Sequence, residues 1–119
     1  MKFEKRLWVD DERSLPKDIQ DDTEANPQHR WRIATSSDIA ISFLSRWKAR
    51  PYITLEEVSL DHDLGGDDTA MSVVNWMIEH EYWPKVVTVH TANPVGRENL
   101  LRALNAEAPA EVDIFIRYW

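Results

Sequence analysis

The chain has 119 residues, 43% of them hydrophobic, which suits one domain over residues 1–119 with a single core. Its 21 acidic and 14 basic side chains give a formal charge of −7, which disfavours broad binding to duplex nucleic acid. The lack of cysteine excludes disulfides and thiolate metal sites. No apolar run reaches the length of a signal or a membrane span, so we expect a cytoplasmic protein with no membrane partner.

The first predicted elements are two short strands. Residues 7–9 form an apolar run that predicts a buried strand ending at Asp10 and Asp11. Residues 31–35 predict a second strand. Between them, residues 14–28 contain two prolines and little periodicity, so we expect an irregular connection there in place of a helix.

Two helices and a third strand are predicted next. The first helix has N-cap candidates at residues 36–38. Its apolar residues repeat on one face and are Ile39, Ala40, Phe43, Leu44 and Trp47. Residues 58–60 predict the third strand, which ends at Asp61. The following helix has Asp67, Asp68 or Thr69 as its cap. Its buried face comprises Ala70, Val73, Val74, Met77 and Ile78.

The last third of the chain predicts two strands around one helix. Residues 86–89 are a β-branched run and predict a buried strand that ends at His90 and Thr91. Asn93 before a proline is typical of a helix start. The buried stripe of that helix comprises Leu100, Leu101 and Leu104. Residues 112–116 predict the final strand. This alternation predicts an open α/β sheet of parallel strands joined by crossover helices.

Aspartates gather where predicted strands end. Asp10 and Asp11 follow the first strand, and Asp61 opens the stretch DHDLGGDD after the third. If these strands are neighbours, about 4.8 Å apart, their carboxylates share one pocket at the ligand-binding edge of the sheet. Such carboxylates raise one another's pKa values, and a divalent cation removes that cost. Oxygen ligands suit Mg²⁺ or Mn²⁺, which recruit phosphate. The alternative is surface charges and turn residues, but two acidic stretches at strand ends favour the metal pocket.

Four stretches of the sequence resemble those of response-regulator receiver domains. They are LWVDDER, VSLDHDLG, VVTVHTAN and DIFIRYW. The resemblance implies a flavodoxin-like, five-stranded parallel sheet of order 2-1-3-4-5, here with a degraded helix after the first strand and no final helix. The histidines in LDHDLG and VHTANPVGR depart from ordinary receivers. They resemble those of a divergent branch, the cyclic-phosphate-processing receiver domains, whose name reflects a proposed role on cyclic phosphate ends in RNA repair.

The resemblance also implies a role for each matching residue. The metal ligands would be the carboxylates of Asp10, Asp11 and Asp61 and the backbone carbonyl of Asp63. Asp61 would also be the phosphoacceptor, and Thr91 would contact the phosphoryl group. Arg117 stands near the position of the receiver lysine and keeps its charge. Arg97, one turn into the last helix, is a further candidate for phosphate binding.

Two histidines are candidates for acid–base chemistry. Opening a cyclic phosphate requires an activated water and a protonated leaving oxygen, and the ordinary pKa of histidine suits both roles. We predict that His90 acts beside the phosphate. His62 follows Asp61 and points away in an extended strand, so it reaches the pocket only if the chain turns; packing is its alternative role.

Three functions are compatible with these residues. The first is a metal-dependent phosphoesterase that acts on a cyclic phosphate in a small molecule or at an RNA end. The second is a stand-alone phosphoacceptor that uses Asp61. The third is a non-catalytic module that binds a nucleotide or a protein partner. The extra histidines favour the first function over the second.

Overall fold

Strands and helices alternate along the chain, as the sequence predicts. The computed structural model describes residues 2–119. Its elements are β1 (Phe3–Val9), α1 (Lys17–Ala25), a 3-10 helix (Pro27–His29), β2 (Trp31–Ala34), α2 (Ser37–Lys48), β3 (Ile53–Leu60), α3 (Met71–Glu79), β4 (Val86–Val89), α4 (Pro94–Glu107) and β5 (Asp113–Ile116). No helix within residues 2–119 is both long enough and apolar enough to cross a membrane.

The five strands form one parallel sheet in the order β2-β1-β3-β4-β5. This order confirms the flavodoxin-like receiver fold expected from the sequence. The register pairs Val9 with Leu60 and Leu60 with Val89, so β1, β3 and β4 end at the same level. The residues that follow these three strands therefore meet at one edge of the sheet.

The hydrophobic core lies between the sheet and helices α2, α3 and α4. Alternate strand residues point to this face and are fully buried, because successive side chains of a strand point to opposite sides. The core includes Leu7, Val9, Val58, Leu60, Val87 and Val89 from the strands, and Leu44, Val73, Val74, Met77, Leu100 and Leu104 from the helices. On the opposite face, Trp8, Ser59, Thr88 and His90 are also buried. That second buried set is largely polar, which leads to the site described below.

The connection after β1 corrects one expectation. We expected residues 14–28 to be irregular, but Lys17–Ala25 forms a helix. Pro16 stands at its N-cap position, where the missing N–H is harmless, and Pro27 lies beyond its end. Only Ile19 is buried in this nine-residue helix, which explains its weak periodicity. Residues 117–119, after β5, form no helix.

Two helix caps follow the sequence and one departs from it. Ser36, one of the candidates at residues 36–38, caps α2, because its Oγ accepts a hydrogen bond from the N–H of residue 39 at 3.2 Å. Asn93 caps α4 as predicted, since its Oδ1 accepts hydrogen bonds from the backbone N–H groups of residues 95 and 96, both at 3.1 Å. Asp68, one of three candidate caps for α3, instead accepts from Ser37 N at 2.8 Å and from Ser37 Oγ at 2.5 Å. Ala70 occupies the N-cap position of α3, with Thr69 Oγ1 accepting from the N–H of residue 71 at 3.3 Å. Asp68 thus ties the β3–α3 loop to α2.

We expect Asp68→Ala to lower the free energy of unfolding by about 1–2 kcal/mol, because it removes a capping carboxylate from the first turn of α2. Urea denaturation measures this change. The exposed neighbour Asp67 is the matched control, and Asp67→Ala should stay within about 0.5 kcal/mol of wild type. Equal losses in the two variants would contradict the capping role of Asp68.

Candidate functional site

Three aspartates meet at the carboxyl edge of the sheet. Asp10 and Asp11 follow β1, and Asp61 follows the neighbouring β3. Each offers a carboxylate oxygen, and these atoms all lie within 4.8 Å of one another. Asp10 is buried, whereas Asp61 is half-buried and Asp11 is partly exposed. The three carboxylates could hold a metal ion, because each offers an oxygen ligand at the same point.

Asp10 is held from two sides. Its Oδ1 accepts hydrogen bonds from the N–H groups of Glu12 at 2.9 Å and Arg13 at 2.8 Å. Its Oδ2 lies 3.0 Å from Nε2 of His90. Burial alone would raise the pKa of Asp10, but the hydrogen bonds from His90 and the backbone outweigh it and hold the pKa below its usual value. Asp10 is therefore a charged, fixed carboxylate.

His90 lies behind Asp10 and is only 1% exposed. With Nε2–H donating to Asp10, Nδ1 accepts the hydroxyl hydrogen of Ser59 at 2.7 Å. The imidazole stacks on Trp8, with ring centroids 3.9 Å apart and planes within 6°. Both ring nitrogens are thus occupied by protein groups. This geometry favours a positioning role over the acid–base role that we predicted for His90.

The pKa of Asp61 shifts in the opposite direction from that of Asp10. Burial raises its pKa; a hydrogen bond from Thr91 lowers it, and the negative charge of Asp10 raises it further. The pKa of Asp61 ends above its ordinary value. Its Oδ1 also accepts from the N–H of His62 at 2.9 Å. Asp61 is the carboxylate of the cluster that gains most from a nearby positive charge.

A cavity of about 660 Å³ opens above the three aspartates. Thr91 and Asn93 line one wall, at the start of α4, and Asp63 and Gly65 line another. Gly65 has a positive φ of 92°, and a methyl group there would lie 3.3 Å from an oxygen of Asp11. Glycine therefore permits both the turn and the close approach of the loop to the carboxylate.

Arg13 is the basic residue of this cavity, and the sequence analysis missed it. One guanidinium nitrogen donates to the carbonyl oxygens of His90 at 3.3 Å and of Trp119 at 2.9 Å. A guanidinium has five N–H donors, so others are left for an anion. The only sequence signal was its place in LWVDDER, two residues after the acidic pair.

The two arginines expected at the phosphate lie elsewhere. The guanidinium of Arg117 lies 5.2 Å from the ring centroid of Phe115 and is absent from the cavity wall. Arg97 donates to the carbonyl of Thr91 at 3.0 Å and lies 5.1 Å from the ring of Tyr118. Arg97 therefore fixes the Thr91 backbone through this hydrogen bond and does not line the cavity.

His62 packs against α4. Its Nδ1 lies 3.0 Å from Asp63 Oδ1, and its ring leaves no room for a methyl group at Gly96. Asn93 Nδ2 donates to the other oxygen of Asp63 at 3.1 Å. The Asn93 contact, followed by that of His62, lowers the pKa of Asp63. His62 thus has the packing position that we gave as its alternative, while metal binding by the Asp63 carbonyl stays a prediction.

In buffer with EDTA, Asp61→Asn should raise the Tm at pH 7. Because the pKa of Asp61 is raised on folding, its charge destabilises the folded state at pH values above that raised pKa. This destabilisation disappears as Asp61 becomes protonated, so the Tm difference should shrink as pH falls from 7 towards about 4. The exposed Asp67 is the control, and Asp67→Asn should leave the Tm unchanged at every pH. Identical Tm values for wild type and Asp61→Asn at pH 7 would contradict the raised pKa.

Comparison with known proteins supports the fold and shows the family. The structure is similar to the crystal structure of a two-component response regulator from Cytophaga hutchinsonii, with a TM-score of 0.57. The match covers 98% of this chain and 86% of that chain at 16% sequence identity, so the likeness concerns the fold alone. Among curated proteins, none matches this chain. The family model described as "Cyclic-phosphate processing Receiver domain" matches residues 5–106. Together with the receiver fold and the acidic cluster, this match shows that the chain belongs to the cyclic-phosphate-processing receiver domain family.

Proposed function

We propose that the pocket binds a divalent cation, Mg²⁺ or Mn²⁺, through Asp10, Asp11 and Asp61. The observation that carries this proposal is the convergence of three carboxylate oxygens within 4.8 Å. Asp61 adds to it, because burial and the negative charge of Asp10 raise the pKa of its carboxyl, and a bound cation would offset both. Carboxylates without thiolates favour these hard metals.

We further propose that the substrate is a cyclic phosphate, carried by a small molecule or by an RNA end. The family's description supports this chemistry. The cavity volume of about 660 Å³ lies within the range of small-molecule sites. Around the carboxylates, Arg13 and the Thr91 hydroxyl provide donors that favour an anion.

Opening the ring requires a water to attack phosphorus. A cation in the pocket would neutralise charge on the phosphoryl oxygens. Asp61 accepts the proton of the attacking water, because its carboxylate lines the cavity in which the phosphate would lie. As the bond from water oxygen to phosphorus forms, one ester bond of the ring breaks. The proton on Asp61 then passes to the leaving oxygen, which gives a phosphate monoester.

Other residues of the chain bind the phosphoryl oxygens or hold the residues of the site in place. Thr91 Oγ1 accepts the N–H of Asn93 at 3.1 Å, and its hydroxyl hydrogen is donated to Asp61. In this scheme the hydroxyl turns from Asp61 to a phosphoryl oxygen when the substrate binds. Arg13 binds a second oxygen with its remaining donors. His90 fixes Asp10, and His62 fixes the loop that carries Asp63. Both histidines act through other residues in this scheme.

A second candidate function is phosphoryl acceptance by Asp61. One observation favours it: Asp61 is half-buried at the end of β3 and next to the Thr91 hydroxyl, in a fold shared with a response regulator. Arg117 counts against it, because this residue follows β5 near the position of the receiver lysine but does not line the cavity. The same pocket without turnover, as a nucleotide- or protein-binding module, is the third candidate.

We expect His90→Phe to raise the Kd for Mn²⁺ about 10- to 100-fold, because phenylalanine keeps the stack on Trp8 but releases Asp10. Manganese titration followed by electron paramagnetic resonance measures the Kd. His80→Phe is a matched control, since His80 also stacks on a tryptophan, Trp76, with centroids 4.1 Å apart. Unchanged Mn²⁺ affinity in His90→Phe, in a variant that unfolds cooperatively, would contradict the positioning role.

The reaction itself is tested by phosphorus NMR of a 2′,3′-cyclic nucleotide with Mg²⁺ or Mn²⁺. We expect the cyclic resonance to convert to one monoester isomer. Conversion should be lost in EDTA and in Asp61→Asn, and retained in Asp67→Asn, because only Asp61 belongs to the carboxylate cluster.

The other outcomes separate the candidates. Failure to convert the nucleotide would contradict the phosphoesterase proposal for this substrate. Incubation with acetyl phosphate then tests the acceptor function by intact mass. A phosphorylated wild type and an unmodified Asp61→Asn would support phosphoryl acceptance, whereas two unmodified proteins would favour the binding module.

A further inference from the structure

A second cavity lies at the opposite end of the sheet from the aspartates. It has a volume of about 330 Å³ and is formed by the starts of β1 and β3, by β2 and by the end of α2. Since β1 runs from Phe3 to Val9, roughly 20 Å separates this cavity from the carboxyl edge. Four of its lining residues are basic and four are aromatic: Lys5, Arg32, Arg46 and Arg50, and Phe3, Phe43, Trp47 and Tyr52.

The charge of this region is opposite to that of the whole chain. An adjoining cavity shares Phe3, Lys5 and Arg32 with the first. Six of the chain's 14 basic side chains line the two cavities: Lys2, Lys5, Arg30, Arg32, Arg46 and Arg50. Of the 21 acidic side chains, only Glu4 does so, and it pairs with Arg6 at 3.2 Å. We call this region the basic–aromatic surface.

The cations of the first cavity lack anionic partners. Within residues 2–119, no carboxylate forms an ion pair with any of the four. Burial lowers the pKa of Lys5, and the positive charge of Arg32 lowers it further. Repulsion of this kind persists because no local acid offsets it. A bound anion would offset it.

The aromatic side chains present ring faces and edges beside these cations. Phe3 and Tyr52 are 54% and 46% exposed and meet edge to face at 6.0 Å. Phe43 lies 5.3 Å from Trp47, and the guanidinium of Arg46 lies 5.0 Å from the Phe43 ring centroid. Trp47 is only 6% exposed and belongs to the core, so Phe3 and Tyr52 are the exposed rings. Exposed rings beside arginines are the combination that stacks bases and binds the phosphates between them.

We propose that the basic–aromatic surface binds single-stranded nucleic acid, with one base in the 330 Å³ cavity and the flanking phosphates on Arg32 and Arg46. The cavity is at the lower end of the size range of ligand sites, which suits one nucleotide unit and not a duplex. An acidic peptide would use the cations but not the ring faces. The proposal does not depend on the acidic pocket or on its metal.

The test is fluorescence anisotropy of a labelled single-stranded uridine decamer with a 3′-hydroxyl end, in EDTA and about 50 mM salt. We expect saturable binding by wild type. Arg32→Gln/Arg46→Gln should raise the Kd at least tenfold and reduce the salt slope by about 1.4, the value for two phosphate contacts on a single strand. Lys85→Gln/Arg102→Gln removes two charges outside this surface and should stay within about twofold of wild type.

Three further arms separate the alternatives. Tyr52→Ala should weaken binding and Tyr52→Phe should retain it, because stacking requires the ring and not the hydroxyl. Asp61→Asn should bind as wild type does, which distinguishes this surface from the acidic pocket. An equal loss of affinity in the two double variants would overturn the proposal, and so would equal affinity for the duplex form of the decamer. Displacement of the decamer by polyglutamate, together with unchanged affinity in Tyr52→Ala, would also overturn it. Thermal unfolding of each variant verifies that it is folded.

Discussion

The buried contact between His90 and Asp10 is the interaction on which the site depends. It spans three strands, because Asp10 follows β1, His90 follows β4, and Ser59 of the intervening β3 completes the chain of hydrogen bonds. A buried carboxylate is costly unless every lone pair finds a donor. Here two backbone N–H groups and the imidazole satisfy it. Trp8 covers the imidazole and removes it from solvent.

This arrangement gives neighbouring carboxylates opposite pKa shifts. Hydrogen bonds keep Asp10 charged, so its contribution to stability is present above its unfolded pKa and is lost as pH falls through its lower folded pKa. Asp61 has fewer donors, and its pKa rises with burial and with the charge of Asp10. In the proposed chemistry Asp10 is a rigid ligand, because three hydrogen bonds fix its carboxylate. Asp61 is the group that exchanges protons, because its carboxylate lines the cavity.

Local signals in the sequence identified most of the fold and part of the site. The Asn93–Pro94 pair marks a helix start by backbone chemistry alone, and the apolar runs that end in aspartate mark strand ends that a parallel sheet brings together. Tertiary contacts decided the rest. Asp68 caps a helix 31 residues earlier in the chain, and Arg13 enters the cavity because carbonyls of two distant segments hold it. His90 was predicted beside the phosphate, but strand alternation places it with Thr88 on the face opposite the helices, where Trp8 and Ser59 bury it.

The net charge of the chain does not give the local charge at either end of the sheet, which is acidic at the aspartates and positive at the basic–aromatic surface. At physiological ionic strength the screening length is about 8 Å, well below the roughly 20 Å that β1 places between the aspartates and the basic–aromatic surface. Each end therefore acts through its own charges. The formal charge of −7 still repels a long duplex, which extends over both ends at once. A single strand that places one base in the 330 Å³ cavity meets only local cations and aromatic rings. The acidic composition of the chain thus selects against duplexes without excluding short single strands.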